Sequence, residues 1–241
     1  MPRFYIPQAP LTHMPMKLPE AAAHHAARVL RLGVGDAVAL FDGSGCEWVA
    51  TIQHIDKRDV EVMVAQRVEI SRESPVAVTL VQGISSGDRM DYTLQKAVEL
   101  GVARIQPLAC ARSVVKLVGE RADKRRSHWQ NLVIAACEQC GRNVVPEVAA
   151  VDSLSGWLAQ PSAQSLRIMF APDAAATLHT LTKPEASVEI LAGPEGGFSP
   201  DEHQLAIAAG FIPVRLGPRV LRTETAAVAA LSAMQMLWGD F

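Results

Sequence analysis

From residue 76 to the C-terminus, short apolar runs alternate with segments of helical period, and few architectures accommodate that order. Val76-Ala-Val-Thr-Leu-Val81 reads as a strand. Residues 88–100 carry Met90, Leu94, Ala97 and Val98 on one helical face and stop at Gly101. Residues 104–108 form a second extended run. Residues 121–140 form a long helix with Gly141 in the usual C-terminal stop position. Residues 166–170, 188–192 and 214–216 are short strands, and residues 223–238 an alanine-rich helix. Strands separated by helices pair most readily in parallel, because the helix carries the chain back across the sheet. The alternation therefore predicts an α/β domain with a mostly parallel sheet.

The first seventy residues read differently. Ala37-Val-Ala-Leu-Phe41 is followed by the turn Asp42-Gly-Ser-Gly45 and by Glu47-Trp-Val-Ala-Thr-Ile52 as the returning strand. Val60-Glu-Val-Met-Val64 alternates in the same way. This is a small β-rich module. The polar stretch Ser71-Arg-Glu-Ser-Pro75 is the expected linker, which divides the chain into 1–72 and 73–241.

Composition removes several function classes. Lys+Arg number 23 against 25 Asp+Glu, a net charge of −2, so a uniformly basic nucleic-acid coat is excluded while a local basic patch is not. Four cysteines in 241 residues are too sparse for a disulfide scaffold. The N-terminus has no continuous apolar run of the secretory kind, and the apolar segment 226–238 is interrupted by Ser232 and Gln235. A cytoplasmic, soluble protein is expected. Cys137-Glu-Gln-Cys140 lacks a second pair, so no metal site is expected. Neither a P-loop nor a dinucleotide fingerprint is present.

Two segments carry chemistry. In Leu191-Ala-Gly-Pro-Glu-Gly-Gly-Phe-Ser-Pro-Asp-Glu202, a strand runs into a loop with three glycines in five residues. A helix then starts, with Ser199 as N-cap, Pro200 at its first position and Glu202 closing a capping box. Such a loop lies where open α/β sheets bind ligands, and taken alone it fits a tight turn equally well. Val214-Arg-Leu-Gly-Pro-Arg-Val-Leu-Arg-Thr-Glu-Thr225 repeats the pattern. Thr223 and Thr225 are expected to cap the following helix, and Arg219 and Arg222 to stand beside the first loop if both strands end on one sheet edge. A third segment, 104–126, concentrates Arg104, Arg112, Lys116, Arg121, Lys124, Arg125 and Arg126. It suits phosphate contacts, although charged helix faces are commonly only solvated. Trp129 beside it is either a base-stacking platform or core.

These segments resemble, nearly end to end, the bacterial 16S ribosomal RNA uridine-N3 methyltransferases of the SPOUT superfamily. The resemblance rests on Arg3-Phe-Tyr, His25-Ala-Ala-Arg-Val-Leu-Arg31, Phe41-Asp-Gly43, Gly87-Asp-Arg-Met-Asp91, Gln95-Lys96 and Glu99-Leu-Gly101. It rests further on Ala136-Cys-Glu-Gln-Cys-Gly-Arg-Asn143, and above all on Gly193-Pro-Glu-Gly-Gly197 and Leu216-Gly-Pro-Arg-Val-Leu-Arg-Thr-Glu-Thr225. Ser85-Ser86 departs from the family, which often carries a basic residue there.

The resemblance implies an α/β protein with an N-terminal PUA-like β-barrel followed by a SPOUT domain with a C-terminal deep trefoil knot. It implies a homodimer, S-adenosyl-L-methionine as methyl donor, and a uridine in the decoding region of 16S rRNA within the small ribosomal subunit as target. Carried onto this sequence, the donor site comprises Leu191, Gly193, Pro194, Glu195, Gly196, Gly197, Leu216, Gly217, Leu221, Arg222, Thr223, Thr225 and Ala226. Arg222 is the candidate for stabilising the uracil electrostatically, with Glu224 as orienter or proton acceptor. Arg3, Arg28, Arg31, Arg112, Lys116, Arg121, Lys124, Arg125 and Arg142 are candidate RNA contacts. The competing readings are a non-catalytic RNA-binding or ribosome-assembly protein, the same enzyme on another base or on transfer RNA, and, more remotely, a nucleotide-binding oxidoreductase.

Overall fold

The computed structural model describes residues 1–56, 59–160 and 165–241. Its contacts divide the chain into two units: Met1–Glu73 with Ile134–Val145, and Ser74–Val133 with Pro146–Phe241.

The first unit holds β1 (Arg3–Tyr5), β2 (Pro15–Lys17), α1 (Glu20–His24), β3 (Ala37–Phe41), β4 (Glu47–Ile55) and β5 (Val60–Val68). They form a five-stranded sheet in the order β1-β3-β4-β5-β2, with β1 parallel to β3 and the other neighbours antiparallel. Alternation does what the sequence leads one to expect: Val60, Val62 and Val64 are buried, and they meet Phe4, Ile6, Leu40, Trp48 and Ile52 in one core. The pairing of β4 with β5 slips between Val49 and Ala50 and again between Ile52 and His54, irregularities that bend and twist a strand pair. Ala22, Ala23 and Ala26, on α1 and the helical turn that continues it, add small side chains to that core.

Residues 134–145 complete this unit, whereas a division into 1–72 and 73–241 places them in the second domain. Polar side chains hold them, and these leave no periodic signal. Glu138 accepts the Tyr5 backbone N–H at 2.8 Å. Arg142 pairs with Glu73, and Asn143 accepts from Arg3 while donating to the Ile70 carbonyl at 2.9 Å. Arg3 also pairs with the buried Glu47, which Arg72 approaches at 3.4 Å. Burial pushes the Glu47 carboxyl up, but Arg3, Asn143 and Arg72 outweigh it and hold the group below the ordinary carboxylate value. The folded state therefore binds this proton less tightly than the unfolded chain. The stabilisation is complete above the unfolded value of about 4.3 and is lost as pH falls through the lower folded value. In urea titrations between neutral and acid pH, Glu47→Gln should remove part of the acid loss while lowering stability at pH 7.

The second unit contains β6 (Ala77–Gly83), α2 (Gly87–Glu99), β7 (Arg104–Ala109), α3 (Glu120–Cys140), β8 (Glu147–Val148), β9 (Asp152–Ser153), α4 (Leu154–Leu158), β10 (Ser165–Phe170), β11 (Ala176–Thr177), β12 (Ser187–Ala192), α5 (Pro200–Ala208), β13 (Ile212–Arg215) and α6 (Thr223–Trp238). Helix α3 supplies residues to both units. The strand order is β11-β13-β10-β12-β6-β7-β8, with β9 also on β7, and every pairing is parallel. Both faces of β12 are buried, with Val188, Ile190, Leu191 and Ala192 nearly inaccessible, as expected of a central parallel strand covered on both sides. One face packs Leu191 with Val81, Leu108, Met169, Ala206 and Phe211. Trp129 is core rather than a stacking platform: it is 1% exposed, and its indole N–H reaches Asp91 at 3.2 Å. Burial pushes the Cys137 thiol up to about 12. Among the described residues no helix is long and apolar enough to cross a membrane.

Candidate active site

Strands β12 and β13 both lie beside β10 and run parallel to it, so the C-terminal ends of all three open onto one edge. That is where open α/β sheets take their ligands. A cavity of about 710 Å³ lies there, walled by the segments that follow β10, β12 and β13. Of the expected donor-site residues, Gly193, Pro194, Glu195, Gly197, Leu216, Gly217, Leu221, Arg222, Thr223 and Ala226 line it. Leu191, Gly196 and Thr225 do not. Leu191 is packed in the core, and Thr225 is exposed elsewhere on the first turn of α6. Gly196 backs against Arg112, where a Cβ would come within 2.9 Å of the arginine Cβ.

The loops are braced from several directions. The capping box of α5 forms as expected: Ser199 accepts from the Glu202 backbone, and Glu202 accepts from the Ser199 N–H at 2.8 Å. The other Glu202 oxygen takes the Ala111 N–H at 2.7 Å. Glu195 turns toward α2. Its Oε1 accepts the Ser86 N–H at 2.8 Å, the Ser86 hydroxyl at 2.7 Å and an Arg89 N–H at 3.3 Å. Burial raises the Glu195 carboxyl, but these donors prevail and hold it below its ordinary value.

Thr223 does not cap α6. Arg222 occupies the cap position without a side-chain cap, and the Thr223 hydroxyl instead donates to the Gly193 carbonyl at 2.6 Å while accepting from Gln82 at 3.0 Å. The expected cap loses to a tertiary contact that joins the two loops. Thr223→Val keeps the shape and removes that joint, leaving the buried Gln82 donor with weaker partners. We expect a stability loss of about 1–3 kcal/mol in urea unfolding and weaker binding at the cavity by calorimetry.

Arg222 is exposed on the cavity wall. Glu224 does not line the cavity, and its buried Oε2 has no hydrogen-bond partner among the described residues. The expected RNA contacts divide. Arg28, Arg31, Arg112, Lys116, Arg121 and Lys124 are exposed and Arg125 half-buried. Arg3 and Arg142 are corrections: both are largely buried and spent on Glu47 and Glu73 inside the first unit, so they have no free fork for phosphate.

Sequence reasoning missed Phe170 at the end of β10, Ala171, Pro172 and Asp173 after it, His203 on α5, and Arg89 on α2. The capping box already placed His203 four residues after Ser199 on one helix face. The others depended on sheet order, which no local pattern carries.

Comparison with known proteins now decides the family. Residues 72–235 match the RNA methyltransferase domain family and residues 18–64 its PUA domain. A ribosomal RNA small subunit methyltransferase E from Buchnera aphidicola is 34% identical over 100% of this chain and 95% of its own. One from Bacillus subtilis is 33% identical over 90% of each. The chain belongs to the ribosomal RNA small subunit methyltransferase E family. A family member from Neisseria gonorrhoeae, solved bound to S-adenosyl methionine, superposes with a TM-score of 0.94 at 42% identity, covering 100% of this chain and 99% of that one. Membership makes the chain an RNA methyltransferase with a PUA domain, and the cavity lies within the methyltransferase match.

Proposed function

We propose that this enzyme transfers a methyl group from S-adenosyl-L-methionine to N3 of one uridine in the decoding region of 16S rRNA, acting on the small ribosomal subunit. The observation that carries this reading is the meeting of the 193–197 and 216–223 loops around one cavity, in a chain whose gonococcal relative binds S-adenosyl methionine.

The residues present suit that donor. A Cβ on Gly193 would meet Gly197 Cα and the Phe198 ring, each at 3.3 Å, so the loop folds tightly with little side-chain cover. Gly193, Pro194, Gly197, Leu216 and Gly217 would hold the donor through backbone groups, with Leu221 and Ala226 as apolar wall. When bound, the donor supplies an electrophilic sulfonium methyl. The remaining work falls to the protein. The loops fix the approach of the uridine nitrogen, which is worth much of the acceleration. The nitrogen gives up its proton, to Glu224 or to solvent water, and negative charge spreads onto the uracil oxygens. Arg222 stands at the cavity wall to stabilise that charge. Glu224, in the first turn of α6 and outside the cavity wall, is assigned as orienter or proton acceptor.

The strand order β13-β10-β12, in which the last strand returns past β10, supports a deep trefoil knot at the C-terminus. Met236, Leu237 and Phe241 expose apolar surface at the C-terminal end, which supports a homodimer, testable by sedimentation. Exposed Arg28, Arg31, Arg112, Lys116, Arg121 and Lys124, with the half-buried Arg125, are assigned to RNA phosphate. A cytoplasmic location follows from the substrate.

The deciding experiment is transfer from radiolabelled S-adenosylmethionine to small ribosomal subunits lacking the modification, followed by digestion and mass analysis. N3-methyluridine at one position is the expected product. Another methylated base would overturn the assignment of the atom. Donor binding without transfer would shift the enzyme to another RNA, and loss of both would favour a non-catalytic RNA-binding protein.

A further inference from the structure

Two arginines on the cavity wall have no role in the scheme above that touches the nucleotide being methylated. Arg89 lies in the first turn of α2 and Arg112 beyond β7. Both line the cavity, and each rests one nitrogen on a successive residue of the 193–197 loop. Arg89 Nη1 lies 3.3 Å from Glu195 Oε1, and Arg112 Nη1 lies 3.3 Å from the Gly196 carbonyl. Both distances exceed the usual range for such bonds. The Glu195 oxygen is already occupied by two shorter bonds from Ser86, so Arg89 is its third and weakest donor. The Arg89 side chain remains 45% exposed. Each guanidinium is therefore steadied at one nitrogen while most of its donor fork stays open.

A base reaches such a cavity only by leaving its stack, and it brings its own backbone with it. An anionic phosphate then stands one sugar away from the base, at the lip of the cavity. Paired guanidinium forks match phosphate oxygens in geometry and in charge. Glu195 offsets only one of the two cations, and it is itself committed to Ser86. We infer that Arg89 joins Arg112 in a clamp for a backbone phosphate of the extruded nucleotide, which gives Arg112 a narrower role than general contact with RNA. The inference rests on the methyltransferase reading above. Arg89 is a positioning residue in this scheme: it grips the substrate's backbone and leaves the reacting atoms to Arg222.

The test compares Arg89→Gln and Arg89→Lys with the parent enzyme. Glutamine keeps an N–H for Glu195 and removes the charge, whereas lysine keeps the charge. Arg89→Gln should raise KM for small ribosomal subunits about tenfold, the loss of one charge-assisted contact. Its kcat and its calorimetric affinity for S-adenosylmethionine should stay close to the parent values. Filter binding to 16S RNA across a salt series should lose about one unit of slope. Arg89→Lys should retain the slope, and adding Arg112→Gln to Arg89→Gln should remove a second unit. A fall in donor affinity parallel to the rise in KM, or an unchanged salt slope, overturns the clamp and leaves Arg89 as a support for the loop. If the parent enzyme itself fails to methylate subunits, the functional reading falls and the clamp on an extruded nucleotide falls with it, whereas an unchanged slope in an active enzyme overturns the clamp alone.

Discussion

Replacing Arg222 by alanine is expected to lower kcat for methyl transfer to the small subunit by about 10²–10³, the usual cost of removing a preorganised group that meets developing charge. Donor affinity should change far less. Arg222 stands exposed at the start of α6, and the contacts that hold the turn in place are made by its neighbour Thr223. The side chain can therefore be removed without pulling the turn apart. Arg222→Lys keeps a cation and loses the planar fork, so it should recover part of the rate. Single-turnover measurement at saturating donor isolates the chemical step. Near-parental turnover in Arg222→Ala would remove this residue from the mechanism.

The second large effect is expected from a glycine that does not line the cavity. Gly83 ends β6, and a Cβ placed there would sit 2.6 Å from both the nitrogen and Cδ of Pro194 and 3.1 Å from the Gly193 carbonyl carbon. Two of those atoms belong to the backbone and the third to a rigid ring, so no rotamer change can make room. Gly83→Ala must displace the 193–197 loop or β6. The overpacking should cost about 1–3 kcal/mol in urea unfolding. A displacement near 1 Å at a methyl-transfer site should lower kcat/KM about 100-fold. Gly217 makes the converse control. Among the described residues nothing lies within 4 Å of its Cβ position, but its φ is 81°, so Gly217→Ala is strained without pressing on the other loop.

The sequence was most legible where a single segment contained all the information. The periodicity of 223–238 coincides with α6, and Ser199, Pro200 and Glu202 mark the start of α5 because a capping box is a local device. Glycines and prolines likewise marked both loops that line the cavity. Reading failed where the answer depended on which distant segment lies alongside. Thr223 has the chemistry of a cap, and only the approach of Gly193 and Gln82 gives its hydroxyl another partner. Arg3 and Arg142 look like phosphate ligands until Glu47 and Glu73 are seen beside them. Arg89 and residues 170–173 reach the site because β6 and β10 flank β12, and sheet order is not written in any window of sequence.

The placement of residues 134–145 bears on how the chain is made. Synthesis delivers residues 1–73 first, and their apolar core can begin to collapse at once. Arg3 and Glu73 then have no Asn143 or Arg142 to meet, and the Tyr5 amide has no Glu138. The polar seal of the first unit closes only after residue 145 has left the ribosome, when α3 has been made and with it part of the second unit. The RNA-binding module is thus first in the gene order of the chain but cannot be first to finish. A fragment cut at the apparent linker would keep the Arg3–Glu47 pair but lose the hydrogen bonds that Glu138 and Asn143 give to Tyr5, Arg3 and Ile70, so the first unit is made whole only within the longer chain.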